Sequence, residues 1–429
     1  MARSVARRSE RPRSSLIRLV EYVWRFKTTG AGKSVLGGLL LAAALGSYEL
    51  DVPVFRLFGV VGALWGVAFL AGHLRRARVA IAGAFPERAS AGQTVAAVYT
   101  LSNAARGTIY DVSLGLFGLP PSLEQVDVDV VPSLTSGESA STTLALHPLK
   151  RGVYTLPPLK AYTTFPFGLF RVQVGPKRRR FRPSSAGNLL VLPQFHPVTD
   201  IDVPVGRRYQ PGGIALTSHV GESAEYIGSR EYRPGDPASR IDFRSWARLA
   251  KPVVREYQEE YYCRIALVLD TFVPPGVRPR PEGFRELEAA VSLAAAVADV
   301  LARGEYIIDI FAAGPELYVF RAGRHTAHFE NILEILACVD ACRTNPFETI
   351  APALADELGT ISTVICVLLD WDASRERLVQ TAQEMGCDVK VLVVRAGDPL
   401  HGLRPPDDAG YSVSCYAPET ITAGGLDVL

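Results

Sequence analysis

From Arg264 onward, short apolar runs alternate with amphipathic stretches, and this alternation restricts the fold more than any other feature of the chain. "RIALVLD" (Arg264–Asp270), "YIIDIFAA" (Tyr306–Ala313), "STVICVLLD" (Ser362–Asp370) and "DVKVLVV" (Asp388–Val394) are of strand length and apolar at most positions. Between them lie "ELEAAVSLAAAVADVLARG" (Glu286–Gly304), "FENILEILACVDAC" (Phe329–Cys342) and "SRERLVQTAQEMG" (Ser374–Gly386), which carry helical spacing. Strands apolar on both sides need cover on both sides. The pattern therefore predicts a largely parallel sheet between two helix layers. Ligand sites in such sheets lie beyond the carboxyl ends of the strands. Asp270 and Asp370 fall at that edge.

The preceding region, from about residue 79 to 195, has a different texture. "QTVAAVYTLSN", "DVSLGLFG", "ESASTTLALHPL", "GVYTLPPLKAYTTF" and "NLLVLPQF" are short, rich in Val, Thr, Tyr, Phe and Leu, and separated by Pro, Gly and Asn turns. They predict an antiparallel sandwich or small barrel. Within this region "PKRRRFRP" (Pro176–Pro183) is a basic run. It reads as a solvated hairpin tip, or as an anionic-lipid or nucleic-acid module using Lys177 to Arg182. A net charge of +2 over 429 residues gives no global basicity, so no nucleic acid is expected as a partner.

The first 33 residues hold nine Arg and Lys side chains, from Arg3 to Lys33, against Glu10 and Glu21. Two charge-free runs follow, Ser34–Tyr48 and Leu57–Leu74, separated by a turn with Glu49 and Asp51 and closed by "RRAR" (Arg75–Arg78). Hydrophobic content is 48% and mean hydropathy +0.13, high enough to look for a membrane part. The two runs predict a transmembrane helical hairpin, with the first run at the short end of the range. The basic flanks put both ends in the cytoplasm. The expected localisation is the cell membrane, two-pass, with the N-terminus and main domains cytoplasmic and the bilayer itself a partner. "GAGKS" (Gly30–Ser34) looks like the end of a phosphate loop, but the required earlier glycine is Lys27 and no strand precedes it.

The expected organisation is multi-domain: a basic N-terminus (1–33), the transmembrane hairpin (34–78), an antiparallel β-sandwich (79–200), a charged linker segment (201–262), a three-layer α/β domain (263–400) and a C-terminal tail (401–429). Six cysteines occur without a CxxC pair. They read as buried reduced thiols, with Cys338 and Cys342 spaced to share a helix face.

The charge concentrates in "GSREYRPGDPASRIDFRSWARLAKPVVREY" (Gly228–Tyr257). "RPGDP" reads as a turn, with Asp236 a candidate N-cap and Pro237 at the first helical position. Pro252 ends any helix, and "VVREYQEEYY" reads as a strand beside the α/β sheet.

These residues also carry a family resemblance. Glu231-Tyr232-Arg233-Pro234-Gly235-Asp236, Arg240-Ile241-Asp242-Phe243, Ala247-Arg248 and Val254-Arg255-Glu256 resemble the signature of the domain-of-unknown-function 58 family. That resemblance, with the order of regions, implies a von Willebrand factor A-like α/β domain, and as a partner a MoxR-type AAA+ ATPase of the kind associated with the family. Von Willebrand A domains often bind a divalent cation through Asp-x-Ser-x-Ser after the first strand. The matching positions here are Asp270-Thr271-Phe272-Val273-Pro274. Both serines are replaced by residues without a side-chain oxygen. A hard cation takes about six oxygens, so Asp270, Thr271 and Asp370 form a degenerate cation site. No cofactor is expected, and a divalent cation such as magnesium is the one group that the resemblance would put at this position.

None of the seven histidines has a nucleophile beside it in sequence, and there is neither a Gly-x-Ser-x-Gly elbow nor a His-Glu-x-x-His pair. The chain is therefore expected to be a non-enzymatic, membrane-anchored adaptor. Arg230, Glu231, Tyr232, Pro234, Gly235, Asp236, Arg240, Asp242, Arg248 and Arg255 are its expected partner-docking surface or interdomain clamp. The alternative is a metal-dependent phosphoesterase using Glu231, Asp236 and Asp242.

Overall fold

The computed structural model describes residues 23–46, 53–74, 78–174, 187–203, 220–234, 236, 238–258, 264–304, 306–313, 317–320, 329–345, 347–359, 361–397 and 411–429. The basic run at 176–183, Gly235, Pro237, Cys263, and the histidines at 219, 325, 328 and 401 lie outside the described residues. The chain divides into two compact units: residues 1–149 with 154–189, and residues 150–153 with 190–429.

The first unit opens with a π-helical turn (Val23–Lys27) and two helices, α1 (Gly30–Gly46) and α2 (Pro53–Leu74). Strands follow: β1 (Val79–Ala82), β2 (Arg88–Ser90), β3 (Val95–Asn103), β4 (Ile109–Gly115), β5 (Leu123–Val126), β6 (Val130–Leu134), β7 (Ser139–Pro148), β8 (Gly152–Thr155), β9 (Lys160–Thr163), β10 (Val172–Val174) and β11 (Asn188–Leu192). Two four-stranded antiparallel sheets, ordered β1-β3-β7-β5 and β10-β9-β4-β6, form its body. Period-two burial builds the core between them. Ala97, Tyr99, Leu101 and Asn103 of β3 point inward while the residues between them are more exposed. Buried Asn103 is tolerated because its amide donates to the carbonyls of Gly107 and Leu134, 2.9 Å each, and its oxygen accepts from Ala105 N–H at 2.8 Å.

The expected transmembrane hairpin at 34–78 is overturned. Among the described residues no helix is long and apolar enough to cross a membrane. α1 has 17 residues, about 25 Å at 1.5 Å per residue, against a hydrocarbon core of about 30 Å. α2 is longer, but Arg56 sits in its first turn, and one of its faces packs on its own unit. Trp65 and Ala68 join Leu169, Phe170 and Val172 in one apolar cluster, with the Trp65 and Phe170 rings 4.8 Å apart, edge to face.

The chain entering α1 is tied to the loop at 168–171. Thr29 N–H donates to the Leu169 carbonyl at 3.1 Å, Thr29 Oγ1 to that of Gly168 at 2.6 Å, and Arg171 N–H to that of Lys27 at 2.7 Å. Thr29 Oγ1 in turn accepts from Gly32 N–H at 3.0 Å, closing the first turn of α1. Gly32 lies so close to the loop that an added Cβ would sit 2.3 Å from the Leu169 oxygen. The "GAGKS" stretch is therefore the first turn of this helix.

After residues 150–153 and 190–203, the second unit continues with β12 (Val220–Glu231), a 3₁₀ turn (Ala238–Arg240), α3 (Phe243–Leu249) and β13 (Val253–Gln258). β12 and β13 form a separate two-stranded antiparallel sheet. β13 therefore does not join the larger sheet, as its sequence had suggested. There follow β14 (Arg264–Leu269), α4 (Arg285–Arg303), β15 (Ile307–Ala313), β16 (Leu317–Phe320), α5 (Phe329–Cys338), α6 (Phe347–Glu357), β17 (Thr363–Leu368), α7 (Ala373–Glu384), β18 (Asp388–Val394), β19 (Ser412–Tyr416) and α8 (Pro418–Thr422).

The six-stranded sheet has the order β16-β15-β14-β17-β18-β19, parallel except for β16 at one edge. Successive strand residues feed opposite cores. Ile265, Leu267 and Leu269 pack with α4 and α5 on one face, and Ala266 and Val268 with α6 and α7 on the other. The sheet is thus the middle of three layers. The chain leaves β14 for β15 on one side and returns to β17 on the other, so the order reverses at β14. In open α/β sheets that reversal leaves a crevice at the strand carboxyl ends.

Candidate functional site

The charged stretch folds as a hairpin with an elaborate loop. Glu231 pairs with Val253, Arg230 with Val254 and Ser229 with Arg255, so the β12 and β13 ends close the base of the loop. Arg230 grips Asp236 with both arms of its guanidinium, at 2.8 Å each, and Arg233 N–H donates to the same carboxylate at 2.8 Å. The Arg230 bonds, then that of Arg233, hold the Asp236 carboxyl down at about 2. Asp236 therefore serves the turn rather than capping a helix. The N-cap is Asp242, which accepts from Arg244 N–H at 3.1 Å, Ser245 N–H at 3.3 Å and Ser245 Oγ at 2.8 Å, with Arg255 at 3.5 Å. These donors, Ser245 foremost, lower its pKa. Glu231 pairs with Lys251 at 3.1 Å in the open. Arg240 closes the 3₁₀ turn, and Pro234 and Arg248 are exposed.

α3 ends at Ala250, whose φ of 56° is left-handed, two residues before Pro252. It buries no residue. Its apolar side chains recur at i, i+3 and i+6, so Phe243, Trp246 and Leu249 share one face, and they are 67%, 38% and 55% exposed. The Phe243 and Trp246 rings stack with centroids 6.0 Å apart. Tyr232, in the same loop, is also exposed.

At the crevice, Asp270 is wholly buried. One carboxylate oxygen accepts from Phe272 N–H at 2.8 Å. The other accepts from Leu369 N–H at 3.0 Å and from Arg375 Nε and Nη2 at 2.9 and 2.7 Å. Burial pushes its carboxyl up, against the pull of Arg375 and the two backbone donors. Arg375 is itself buried, also reaches Asp372, and lies over the Phe347 ring at 5.0 Å. Asp372 caps α7, accepting from Ser374 and Arg375 N–H at 3.0 Å each. Burial raises its carboxyl, but the Ser374 and Arg375 donors outweigh this and hold it low. Asp370 is closed in the same manner by Arg395, and it accepts from Trp371 N–H at 2.8 Å.

These residues do not fit a divalent cation. A guanidinium already occupies the Asp270 carboxylate, Asp370 faces a second one, and Phe272 and Pro274 offer no side-chain oxygen. Thr271 Oγ1, buried and with no hydrogen-bond partner among the described residues, is the one oxygen left over. Among the described residues no group of three His, Cys, Asp or Glu side chains is placed to hold a metal ion, and Glu231, Asp236 and Asp242 are each engaged separately.

Sequence reasoning singled out Asp270 and Asp370 but missed Arg375 and Arg395, which decide their chemistry. A signal for Arg375 existed. It lies in the first turn of α7, where a cation opposes the helix dipole and so calls for a local anion. Cys338 ends α5, whereas Cys342 lies beyond it and bridges to Phe272, so the two thiols do not share a helix face. Both are free thiols, as is Cys366. Burial pushes the Cys366 thiol up to about 12, which leaves it inert as a nucleophile.

Fold and site together define an α/β unit with an arginine-closed crevice and a charged hairpin. Residues 228–406 match a family model described as "Protein of unknown function DUF58". The match runs from the hairpin through β18 and supports assignment of this part of the chain to the DUF58 family. No curated protein matches. The chain is similar to the CARDB domain of PF1109 from Pyrococcus furiosus, at 12% identity over 27% of this chain and 94% of that one, with a TM-score of 0.17. It is similar to the RO (RSR) protein of Deinococcus radiodurans at 18% identity over 35% of this chain and 31% of that one, with a TM-score of 0.23. A protein of unknown function from Porphyromonas gingivalis W83 is similar at 13% identity, covering 42% of this chain and 83% of that one, with a TM-score of 0.17. Scores this low decide nothing about fold or activity.

Proposed function

We propose that this chain is a non-enzymatic adaptor that offers its hairpin helix to a cytoplasmic protein, a MoxR-type AAA+ ATPase. The observation that carries this reading is the exposed face of α3. Phe243, Trp246 and Leu249 stand in solvent on a seven-residue helix that buries nothing, while Asp242 fixes its start. Exposed aromatic side chains flanked by arginines, here Arg244 and Arg248, have the composition of binding hot spots. The inward pairing of the nearby carboxylates supports a role in presenting this face rather than in chemistry.

The adaptor is held at a membrane in this reading. Leu40 and Leu41 of α1 and Leu57, Val60, Leu64, Val67 and Leu70 of α2 are exposed. They give the helical pair an apolar surface suited to lipid contact.

The test is co-elution of the full-length chain with the MoxR-type ATPase of the same genome, with ATP, with ADP and without nucleotide. Co-elution in at least one state, lost in the Phe243→Ala/Trp246→Ala double variant, is expected. No co-elution in any state would overturn the proposal.

A further inference from the structure

α1 and α2 rest on the same stretch of the first unit. Val35 of α1 and Trp65 and Ala68 of α2 pack on Leu169 and Phe170. The first half of α1 therefore lies beside the second half of α2, and the two helices run antiparallel. Leu39 of α1 comes within 3.9 Å of where a Cβ on Gly62 of α2 would stand. Each helix turns its opposite face away from that shared support.

Those outer faces share one layout. On α1, Lys33, Gly37, Leu40 and Leu41 recur at helical spacing, and both leucines are exposed. On α2, Arg56, Val60, Ala63, Val67 and Leu70 recur in the same way, and all of them are exposed. Each face thus starts with one cation and continues apolar. Because the helices are antiparallel, the two cations stand at opposite ends of the pair with the apolar residues between them. Neither helix contains a carboxylate. Glu49 and Asp51 belong to the connection between them, outside the described residues. Among the described residues no carboxylate pairs with Lys33 or Arg56. Lys33 Nζ lies 5.5 Å from the ring centroid of the exposed Trp24, a contact that positions the ammonium and leaves its charge uncompensated. Arg78, also exposed, follows α2 at the end it shares with Lys33.

Building on the membrane contact proposed above, we propose that these faces dock on an anionic phospholipid surface, with α1 and α2 lying in the headgroup layer rather than crossing the bilayer. The apolar residues between the cations enter the acyl boundary. The long side chains of Lys33 and Arg56 reach back to headgroup phosphates at either end. Trp24 suits the same depth, since its ring is apolar and its N–H polar. Exposed cations without counter-ions gain from a negatively charged leaflet and gain nothing from a zwitterionic one. The same charges oppose a second copy on this side, because its face would bring cations against cations with no carboxylate from either helix between them.

The test is flotation of the purified full-length chain with phosphatidylcholine vesicles, with and without phosphatidylglycerol. Binding that requires phosphatidylglycerol and falls with added salt is expected. Lys33→Gln and Arg56→Gln each weaken it about fivefold. The Val60→Asp/Val67→Asp double variant, at exposed positions where folding is not at stake, abolishes it with Tm unchanged. Equal flotation with both kinds of vesicle keeps the membrane contact and overturns the charge recognition proposed here. Flotation with neither overturns both. Binding that neither single charge variant weakens, or that the double variant leaves intact, also overturns the proposal. Self-association lost in the double variant would make a second copy the occupant of these faces, with the same consequence. Co-elution with the ATPase is read on α3 and is independent of every one of these outcomes.

Discussion

Arg375 determines what Asp270 is. An aspartate at the end of β14, at the reversal of strand order, is where an open α/β sheet would hold a ligand. Here a guanidinium fills that position and turns the carboxylate into a structural anion. Removing it leaves a buried charge without its counter-ion, at a cost of about 3–5 kcal/mol. Arg375→Ala is therefore expected to lower stability to chemical denaturation by that order. The variant also carries a pH signature. Burial raises Asp270 in the folded state, and without Arg375 it is raised further above its unfolded value. The folded variant then takes up the proton first, so its deficit relative to the parent chain shrinks as pH falls through the folded-state pKa. A deficit independent of pH would show that Asp270 is not the group left uncompensated.

At the scale of elements, the junction between α1 and the sandwich loop turns on Gly32. In most helices Gly→Ala stabilises by about 0.5–1 kcal/mol. At Gly32 the new Cβ would meet the Leu169 carbonyl oxygen at 2.3 Å and Thr28 Cγ2 at 2.8 Å, an overpacking that costs about 1–3 kcal/mol. Gly32→Ala should thus destabilise the first unit, while Gly37→Ala, with nothing within 4 Å, should not. Thermal melts of both variants decide the point, and equal effects would remove the argument. The elements themselves were unevenly legible. The apolar run at Arg264–Asp270 gave away β14, and the alanine-rich period gave away α4 within a residue at either end. The reading of Asp236 as an N-cap failed because Arg230, which the β12–β13 pairing brings to it, takes up its carboxylate, and the cap of α3 is Asp242 instead.

At the scale of the whole molecule, the second unit is discontinuous in sequence: residues 150–153 belong with 190–429. Arg151 shows what that short piece contributes. Almost fully buried, it donates to the carbonyls of Leu336 at 2.9 Å and Val339 at 2.7 Å, at the end of α5, and pairs with Glu288 of α4. Arg151→Ala in the full chain is expected to destabilise the second unit by about 3 kcal/mol. A fragment of residues 190–429, which lacks this side chain, should melt with the same deficit, and a fragment as stable as the second unit of the parent chain would refute the assignment. The sequence offers no sign of this. An arginine in "LKRGVY" reads as part of a surface turn, and its partners lie more than a hundred positions away. The residues after 400 were equally opaque: "SVSCY" is only half apolar, yet it adds β19 to the edge of the sheet.

By itself, the sequence determined the two textures of the chain, since apolar periodicity is a local property that burial imposes residue by residue. It carried the family resemblance in the hairpin motif, which the match over residues 228–406 supports, and it placed Asp270 and Asp370 at the carboxyl ends of their strands. It misjudged residues 34–78, because a charge-free run records hydrophobicity and not the partner that covers it, and α2 turns one face to Leu169 and Phe170. What only the tertiary structure decided is which charges meet. Arg230 closes on Asp236, Arg375 on Asp270 and Arg395 on Asp370. Electrostatic pairing depends on separation in space, and the fold alone sets that separation.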